Sequence, residues 1–257
     1  MKMTTSKMQP KITIVTVTLN SEQYLEDTIT SVVNQTYPFI EYIIVDGQST
    51  DGTFDIIKKY KHGINQWISE PDSGITEAMN KGIAMASGEF ILFLHSDDYL
   101  LDTNSVEKAV SFMDGNEEIF AFSILFKTQS ATIYSKSSWN GLFNFKTKLF
   151  HQGVFCRRDL FDKIGLFDTQ FKIAMDYDFF LRAYRNQCRV KILKNLTVTL
   201  MRDTGISSRR DWNSLRKRFT EEKQVHYKNS RTILDKVIYF LYWQLYLPYR
   251  YLKYVWQ

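Results

Sequence analysis

The segment ITIVTVTLN, residues 12–20, is the strongest fold signal in this chain of 257 residues. Its residues 12–19 are rich in β-branched side chains and almost continuously apolar, which is typical of a strand buried on both faces of a parallel sheet. A helical spacing of apolar side chains follows from Leu25 to Val33, and Asn20 or Ser21 is the expected N-cap of that helix. The segment therefore predicts a strand followed by a helix.

Two more strand–helix units and a fourth strand come next. The predicted strands cover residues 41–45, 67–69 and 90–94, and the predicted helices cover residues 54–60 and 76–86. Strands that alternate with helices favour βαβ crossovers. The predicted fold class is therefore α/β, with a mostly parallel central sheet flanked by helices.

Polar side chains stand at the carboxyl ends of these four strands. In open α/β sheets, ligands bind in the crevice beyond those ends. The residues concerned are Asn20, Asp46, Glu70 and Asp97. Their convergence predicts a binding site at this edge of the sheet.

The second part of the chain has shorter predicted elements. Residues 121–126 and 131–134 form a predicted hairpin, and residues 178–184 form a predicted helix within an α/β stretch that begins at His151. No linker rich in proline or glycine separates these segments from the first part, which favours one continuous domain. Residues 212–257 form a helical, basic and aromatic extension.

The charge of the chain is unevenly distributed. Lys and Arg number 33 against 28 Asp and Glu, a formal net charge of +5. From Met201 onward there are 12 basic and 5 acidic residues, a net of +7, whereas the first 200 residues hold 21 basic and 23 acidic residues, a net of −2. The sequence therefore predicts a near-neutral body with a basic tail.

The composition excludes several classes of protein. Hydrophobic side chains make up 44% and charged ones 24%, which excludes wholesale disorder. Cys156 and Cys188 form no CxxC pair, which favours buried free thiols in a reducing compartment, and the four histidines lack zinc-site spacing. No apolar run reaches the ~18–20 residues that span a bilayer, and the first 11 residues lack the apolar core of a signal peptide. We therefore expect a cytoplasmic protein.

Two acidic motifs carry the predicted chemistry. DGQSTDGT, residues 46–53, is either a turn that caps the next helix or a loop whose Asp46 accepts hydrogen bonds from a base or ribose. In HSDD, residues 95–98, adjacent carboxylates repel each other and resist desolvation unless a cation or strong donors stabilise them. A divalent cation held by carboxylate and diphosphate oxygens meets that need, and a pair of helix N-caps is the structural alternative.

Three common motifs are absent from the sequence: GxxxxGKS/T, GxGxxG and GxSxG. Their absence argues against P-loop phosphoryl transfer, a dinucleotide-dependent oxidoreductase and an α/β-hydrolase nucleophile elbow. The remaining interpretation is an α/β domain that binds a nucleotide through carboxylates and its diphosphate through a metal.

Taken in order, these segments resemble a family 2 glycosyltransferase of the GT-A fold. The similarity runs from ITIVTVTLN through EYIIVDGQSTDGT, SEPDSGITEAMNKGIAMASGEFILFLHSDD and HQGVFCRRDLFDKIGLFD to FKIAMDYDFFLRA, and covers about residues 10–210. The nearest kind is the bacterial enzymes that build O-antigen, capsule and exopolysaccharide repeat units. The implied organisation is a tail at residues 1–10, a GT-A domain at 11–210 (nucleotide-binding half 11–100, acceptor-side half 101–210) and a helical, membrane-associating extension at 211–257.

The resemblance also implies roles for single residues on the donor side. Asp97 matches the last Asp of the DxD motif, the usual ligand of Mn²⁺ or Mg²⁺, and His95 occupies the first position, where family members usually carry Asp or Asn. Asp46 matches the residue that recognises the uracil and ribose of a UDP-sugar. The other residues implied to contact the nucleotide or donor sugar are Thr18, Asn20, Ser49, Glu70, Asp72, Asn80, Lys81, His95 and Ser96.

On the acceptor side, Asp176 in MDYD matches the catalytic Asp of the family's ED motif, and Met175 stands where that motif has Glu. Asp98, His151 and Gln152 are implied to contact the acceptor or the donor. Family 2 resemblance implies inversion by a single displacement, in which Asp176 takes the proton of the attacking acceptor hydroxyl. The expected donor is a UDP-sugar with glucose or galactose favoured and GlcNAc or GalNAc as further candidates, and the expected acceptor is a lipid-linked saccharide on polyprenyl diphosphate.

The tail has two interpretations. Basic residues at 209–231, followed by nine aromatic residues at 233–257, suit the headgroup region of an anionic bilayer. This predicts peripheral association with the inner face of the cell membrane. The alternative is a helix that packs on the catalytic domain with a solvated basic face. No nucleic-acid partner is expected, because no RNA- or DNA-binding motif accompanies the charge.

Two other functions stay open at this point. A sugar-nucleotide nucleotidyltransferase also uses an α/β nucleotide domain, but the Gly-rich loop with Lys or Arg that it needs after the first strand is missing. A non-catalytic sugar-nucleotide binding module is suggested by His95 and Met175, whereas Asp97 and Asp176 favour catalysis.

Overall fold

The computed structural model describes residues 9–128, 130–205 and 208–256, so most of the predicted tail at residues 1–10 lies outside the described residues. The strands are β1 (Ile12–Thr18), β2 (Ile40–Asp46), β3 (Gln66–Ser69), β4 (Phe90–Phe93), β5 (Tyr99–Leu100), β6 (Ile119–Lys127), β7 (Thr132–Ser135), β8 (Val154–Arg157) and β9 (Val190–Arg202). The α-helices are α1 (Leu25–Val33), α2 (Thr53–Lys59), α3 (Ile75–Met85), α4 (Ser105–Val110), α5 (Arg158–Ile164), α6 (Met175–Arg185), α7 (Trp212–Lys228) and α8 (Ile233–Val255).

Over the described residues, the strands form one sheet in the order β3-β2-β1-β4-β8-β6-β9-β5, with β7 paired to β6. β1 pairs in parallel with β2 and β4, and β2 pairs in parallel with β3. β8 joins the two halves of the sheet because it pairs antiparallel with both β4 and β6, and β9 then runs parallel to β6. The predicted α/β class with a parallel sheet at its centre is confirmed.

The alternation along β1 builds a core on both faces of the sheet. Successive side chains of a strand point to opposite faces. Ile12 and Ile14 pack in one buried cluster with residues of α1, α2 and α4, and Val15 and Val17 pack in a second cluster with residues of α3, α5 and α6. Gly82 lets α3 approach β1 closely, since a Cβ there would stand 2.4 Å from a Val15 methyl carbon. The continuous apolar run of β1 thus reflects helices on both faces.

The expected N-cap of α1 is wrong. The helix begins at Leu25 after Tyr24, with no side-chain cap. Asn20 instead has a left-handed backbone with φ of 51°, and its side-chain oxygen accepts a hydrogen bond from the Thr50 N–H at 2.9 Å. Asn tolerates this conformation better than other non-glycine residues. The side chain of Asn20 therefore links the end of β1 to the loop after β2 rather than capping a helix.

Two predictions for the second half are confirmed. The hairpin is β6 and β7, which pair antiparallel. The helix predicted at residues 178–184 is α6, which begins earlier, at Met175, and so places Asp176 in its first turn.

Cys156 and Cys188 are buried free thiols, as expected.

Helices α7 and α8 pack on the body through buried aromatic side chains. Tyr239 and Trp243 are the buried residues of α8. The Trp243 indole N–H donates to His226 Nδ1 at 2.9 Å, and His226 Nε2 lies 2.7 Å from the Tyr177 hydroxyl in α6. The extension is therefore tied to α6 by buried hydrogen bonds. Within the described ranges, no helix is long and apolar enough to cross a membrane.

Candidate active site

A cleft of about 1040 Å³ opens beyond the carboxyl ends of β1 and β4 and reaches α7 and α8. The predicted site residues that line it are Thr18, Asn20, Asp72, His95, Ser96, Asp97, Asp98, His151, Gln152 and Asp176. Those that lie outside its lining are Asp46, Ser49, Glu70, Asn80 and Lys81. Residues from both halves of the domain thus meet at one place.

Asp176 stands in the first turn of α6, where the positive end of the helix dipole points at its carboxylate. One carboxylate oxygen lies 3.2 Å from His151 Nδ1. The other accepts a hydrogen bond from the Tyr177 N–H at 2.7 Å. These two contacts fix the orientation of the carboxylate, which is what a general base requires.

The start of α6 is capped by a side chain from α7. Its N-cap residue is Ala174, which has no side-chain acceptor. Glu221 accepts hydrogen bonds from the backbone N–H groups of Lys172, Ile173 and Ala174 at 3.1, 2.7 and 2.9 Å. The first N–H groups of a helix have no partner within the helix. Glu221 therefore holds the N-cap residue and the two residues before it, and so positions the segment that leads into α6.

Met175 shows why the first position of the ED motif differs here. Its side chain is buried and packs in the core cluster that also contains Phe179. A carboxylate at this position would lose its hydration without gaining an ionic partner from these apolar neighbours. The residue before Asp176 therefore serves packing in this chain.

Two histidines stand next to Asp176. The rings of His95 and His151 meet edge-on with centroids 4.7 Å apart. His95 is 9% exposed, and among the described residues neither of its ring nitrogens has a hydrogen-bond partner, nor do His151 Nε2 and Thr18 Oγ1. Burial, and then the neighbouring His151, hold the pKa of His95 well below its ordinary value. Buried polar atoms without partners are costly, so these atoms are suited to contact a ligand.

The two carboxylates of the HSDD motif differ in their surroundings. Asp97 is partly exposed, and its carboxylate accepts a hydrogen bond from the Thr204 hydroxyl at 2.5 Å. Asp98 is 1% exposed and accepts hydrogen bonds from the Arg202 N–H at 3.0 Å and from Gln152. Burial, and then the charge of Asp97, raise the pKa of Asp98 well above its usual range. Asp97 is therefore the carboxylate of this pair that can offer a charged oxygen to the cleft.

These side chains are suited to bind a divalent ion that takes its remaining ligands from a substrate. Among the described residues, no group of three or more His, Cys, Asp or Glu side chains is placed to hold a metal ion. The cleft offers the carboxylate of Asp97 together with the unpartnered imidazole nitrogens of His95 and His151. Carboxylate and phosphate oxygens suit Mn²⁺ or Mg²⁺, and Mg²⁺ usually takes the rest of its ligands from substrate phosphates and water.

The loop after β2 is held by its own polar side chains. Asp46 is fully buried, and its carboxylate accepts hydrogen bonds from the Ser49 N–H at 3.1 Å and the Ser69 hydroxyl at 2.6 Å. The Asn20 N–H in turn donates to the Ser49 hydroxyl at 2.8 Å. These contacts match the turn interpretation of residues 46–53, and recognition of a base by Asp46 stays a prediction.

The loop after β3 separates the predicted donor residues. Asp72 lines the cleft. Lys81 forms an ion pair with Glu70 at 2.9 Å, away from the cleft. Asn80 exchanges two hydrogen bonds with the backbone of Phe167, at 2.8 and 3.1 Å, and so ties α3 to the segment before α6. Asp72 is the residue of this motif that the fold presents to a ligand.

The sequence patterns missed a set of basic side chains that line the cleft. The excess of Lys and Arg after Met201 indicated that this part of the chain is basic, and most of these residues belong to it. That excess did not indicate which of the basic side chains line the cleft. They are Lys146, Lys172, Arg202, Arg209, Arg210, Arg218, Arg250 and Lys253.

An α/β sheet that presents an acidic strand end to a cleft, with a further carboxylate at the start of α6, defines the protein as an α/β enzyme of the GT-A class. The chain belongs to glycosyltransferase family 2, because the model of the family described as Glycosyl transferase family 2 matches residues 13–185. This confirms the resemblance inferred from the motifs.

Individual proteins are similar to this chain over much of its length. A PGL/p-HBAD biosynthesis glycosyltransferase of Mycobacterium bovis (strain BCG / Pasteur 1173P2) is 28% identical over 206 residues, which cover 76% of this chain and 78% of that protein. Residues 1–349 of S. aureus TarS in complex with UDP-GlcNAc match with a TM-score of 0.65 and 21% identity over 87% of this chain and 74% of that one, and this chain spans 40% of a longer TarS chain. The mannosyltransferase PcManGT from Pyrobaculum calidifontis in complex with GDP-Man and Mn²⁺ matches with a TM-score of 0.67 and 16% identity over 89% of this chain and 67% of that one. At such identities the two structural matches show a shared fold.

Proposed function

We propose that this protein is an inverting, metal-dependent glycosyltransferase that moves a hexose from a UDP-sugar to a saccharide linked to polyprenyl diphosphate, in bacterial surface polysaccharide biosynthesis. Glucose or galactose is favoured as the hexose, ahead of GlcNAc and GalNAc. The observation that carries the proposal is that Asp97 and Asp176, from different halves of the domain, line the same cleft. A metal ligand and a base are the two carboxylate roles that this reaction needs.

Asp176 is the proposed general base. An acceptor hydroxyl attacks the anomeric carbon, the bond from that carbon to the diphosphate oxygen breaks, and UDP leaves from the opposite side. The hydroxyl proton passes to Asp176, whose orientation is held by His151. Thr18, Asp72 and Ser96 line the side of the cleft proposed for the donor.

Asp97 is the proposed protein ligand of Mn²⁺ or Mg²⁺, with the unpartnered nitrogens of His95 and His151 as further candidates. An ion bound there supplies positive charge to the diphosphate of the leaving group. The Mn²⁺ and sugar nucleotide named for the Pyrobaculum mannosyltransferase support this assignment.

The proposed location is the inner face of the cell membrane, with residues 11–210 carrying the transfer site and residues 211–257 contacting the lipid. The support is the outer face of α8, where aliphatic side chains are exposed instead of buried. They are Ile233, Leu234, Val237, Ile238, Leu241, Leu245, Leu252 and Val255.

A donor panel tests the proposal. UDP release is measured with UDP-glucose, UDP-galactose, UDP-GlcNAc and UDP-GalNAc, with Mn²⁺ and with EDTA. We expect turnover of a UDP-hexose that stops in EDTA, and a product of inverted anomeric configuration by NMR. In calorimetry, Mn²⁺ should bind more tightly when UDP is present, because the part of the chain that the structure describes holds no group of three or more His, Cys, Asp or Glu placed to bind a metal ion. Full activity in EDTA, or retention of configuration, contradicts the proposal.

A further inference from the structure

The HSDD turn after β4, which carries Asp97, is held by helix α1. The Asp98 N–H closes the turn by donating to the His95 carbonyl oxygen at 3.0 Å. The Thr28 hydroxyl in α1 lies 3.0 Å from the Ser96 carbonyl oxygen and 2.7 Å from that of Asp98. Thr28 is fully buried and outside the lining of the cleft, whereas Ser96 and Asp97 line it. Two carbonyl groups of the turn therefore point toward α1.

Arg202, the last residue of β9, makes three further contacts in this region. Its backbone N–H donates to the Asp98 carboxylate at 3.0 Å. One terminal guanidinium nitrogen donates to the Asp97 carbonyl oxygen at 2.7 Å, and the other donates to the Asp27 carboxylate in α1 at 2.6 Å. A guanidinium is a rigid planar fork, so these two bonds set the position of Asp97 relative to α1. Arg202 thus joins β9, the HSDD turn and α1.

The guanidinium of Arg202 is itself held by two aromatic rings. Its central carbon lies 4.9 Å from the centroid of the Tyr24 ring and 4.8 Å from that of Tyr99. Tyr24 precedes α1, and Tyr99 lies in β5, which pairs with β9. The Arg202 side chain is 13% exposed. Packing on two rings and bonding to two acceptors restrict its rotation, so Arg202 is a fixed support for the turn.

The end of β9 contacts both the backbone and the side chain of Asp97. Arg202 donates to its carbonyl oxygen, and the hydroxyl of Thr204, two residues further on, donates to its carboxylate at 2.5 Å. Groups that orient a metal ligand without touching the ion typically change the metal affinity by roughly 10–100-fold when they are lost. The contacts of Arg202 are therefore placed to affect how Asp97 meets an ion.

We propose that Arg202 is a positioning residue for Asp97 and so sets the affinity of the cleft for a divalent ion. This inference rests on the proposed function, in which Asp97 is the protein ligand of Mn²⁺ or Mg²⁺. The direction of the effect separates positioning from charge. A guanidinium repels a divalent ion, so charge alone predicts tighter Mn²⁺ binding when the guanidinium is removed. Positioning predicts weaker binding.

The test is Mn²⁺ binding to the full-length protein at saturating UDP, measured by calorimetry. Arg202→Gln should weaken Mn²⁺ binding about tenfold, while the affinity for UDP in EDTA stays unchanged. Arg157→Gln is the matched control. Arg157 also packs on an aromatic ring, that of Phe90, and pairs with the Glu89 carboxylate, but it lies at the amino end of β4 and outside the lining of the cleft.

Asp27→Ala tests the same contacts without changing a residue of the cleft lining. Asp27 is exposed and lies outside that lining. Its loss should weaken Mn²⁺ binding about two- to fivefold, the usual range for one exposed ion pair, because the guanidinium of Arg202 loses one of its acceptors. Glu26→Ala is the control, since Glu26 lies in the same first turn of α1 but pairs with Lys59.

Three results overturn the inference. They are unchanged or tighter Mn²⁺ binding in Arg202→Gln, an equal loss in Arg157→Gln, or weaker UDP binding by Arg202→Gln in EDTA, which would make Arg202 a direct contact of the nucleotide. Circular dichroism reports whether Arg202→Gln is folded. If it is not, Asp27→Ala decides, and a Mn²⁺ affinity equal to that of Glu26→Ala overturns the inference.

The same measurements keep this inference separate from the proposed function. A wild-type protein that fails to bind UDP in the presence of Mn²⁺ contradicts the glycosyltransferase proposal. Wild-type binding of both UDP and Mn²⁺, with no effect of Arg202→Gln, contradicts the positioning role alone.

Discussion

Asp176 is the residue whose surroundings are most closely determined by the fold. His151 contacts one carboxylate oxygen and the N–H of Tyr177 donates to the other. Asp46 and Asn80 also have their hydrogen-bonding groups occupied by neighbouring protein groups, but they lie outside the lining of the cleft. Position in the lining of the cleft, together with buried atoms such as Thr18 Oγ1 that have no partner among the described residues, therefore distinguishes the candidate ligand-facing residues from those that hold the scaffold.

Asp176→Asn should lower kcat/KM for transfer by roughly 10²–10⁴-fold, because an amide cannot take the proton of the acceptor hydroxyl. The affinity for UDP should stay unchanged. Asp55→Asn is the matched control, since Asp55 is an exposed carboxylate in the first turn of α2. Near wild-type transfer by Asp176→Asn in steady-state assays would rule out this residue as the base.

Among the elements, α7 holds the segment that leads into α6, through hydrogen bonds from the backbone N–H groups of residues 172–174. The sequence of α6 has no N-cap side chain of its own, and the acceptor comes from Glu221, almost fifty residues later. This arrangement makes the extension part of the catalytic scaffold, whether or not it also binds a membrane.

Glu221→Ala should lower the free energy of unfolding by about 1.5–3 kcal/mol, the usual contribution of hydrogen bonds to a charged group. It should also reduce kcat more than it changes the KM for donor, because the turn that carries Asp176 loses its fixed position. Glu221→Gln keeps one acceptor oxygen and should recover part of both losses. Urea unfolding and steady-state kinetics measure these effects, and an unchanged kcat in Glu221→Ala would contradict the positioning role.

We expect the packing of α6 against α7 and α8 to depend on pH, because His226 bridges these helices through hydrogen bonds to Tyr177 and Trp243. Its Nδ1 accepts from Trp243, so its Nε2 carries the proton toward Tyr177. Burial, and then the charge of Arg185, lower the pKa of His226 to about 3, from 6.5. A second proton on His226, at Nδ1, would place an N–H donor opposite the indole N–H of Trp243.

The stability that His226 contributes should therefore be complete above pH 6.5 and be lost as the pH falls from there toward 3, by at most about 1.4 kcal/mol per pH unit. Urea unfolding between pH 7.5 and 5 measures this slope. His226→Gln should make the slope shallower, whereas His62→Gln, at an exposed histidine, should leave it unchanged. Equal slopes in wild type and His226→Gln would exclude this coupling.

At the scale of the whole molecule, helix α8 has apolar side chains on two sides, one that packs on the body and one that faces solvent. The side that packs on the body carries Tyr239 and Trp243, whereas the side that faces solvent carries an aliphatic stripe that includes Leu241 and Leu245. A contiguous exposed apolar face on a basic helix is typical of a membrane or partner interface. One face of α8 therefore packs on the body, and contact of the other face with a membrane stays a proposal.

Leu241→Glu together with Leu245→Glu should lower binding to phosphatidylglycerol vesicles at least tenfold, since each exposed leucine would lose about 1.5–3 kcal/mol of burial in lipid. Phe112→Glu is the control, because Phe112 is an exposed aromatic residue that follows α4, on the other face of the sheet. Vesicle co-sedimentation measures the partition, and an unchanged partition of the double variant would remove the membrane role of this face.

The strands and helices of the first half were predictable from the sequence because their signal is local. Short apolar runs and helical spacings of apolar side chains along residues 12–94 indicate the strands and helices, and polar residues after the strands indicate the edge of the sheet where ligands are expected to bind. The motifs that resemble family 2 glycosyltransferases likewise lie in short segments, so the family and the position of Asp97 and Asp176 followed from the sequence.

The remaining features depend on contacts between residues far apart in the chain, which no local pattern encodes. The contact of Glu221 with the segment before α6 and the edge-on packing of His95 with His151 arise because folding brings separate elements together. The sequence established the class of enzyme and its carboxylates. Three-dimensional packing determined which of its many basic and polar residues line the cleft, because burial and hydrogen bonding depend on neighbours rather than on residue type.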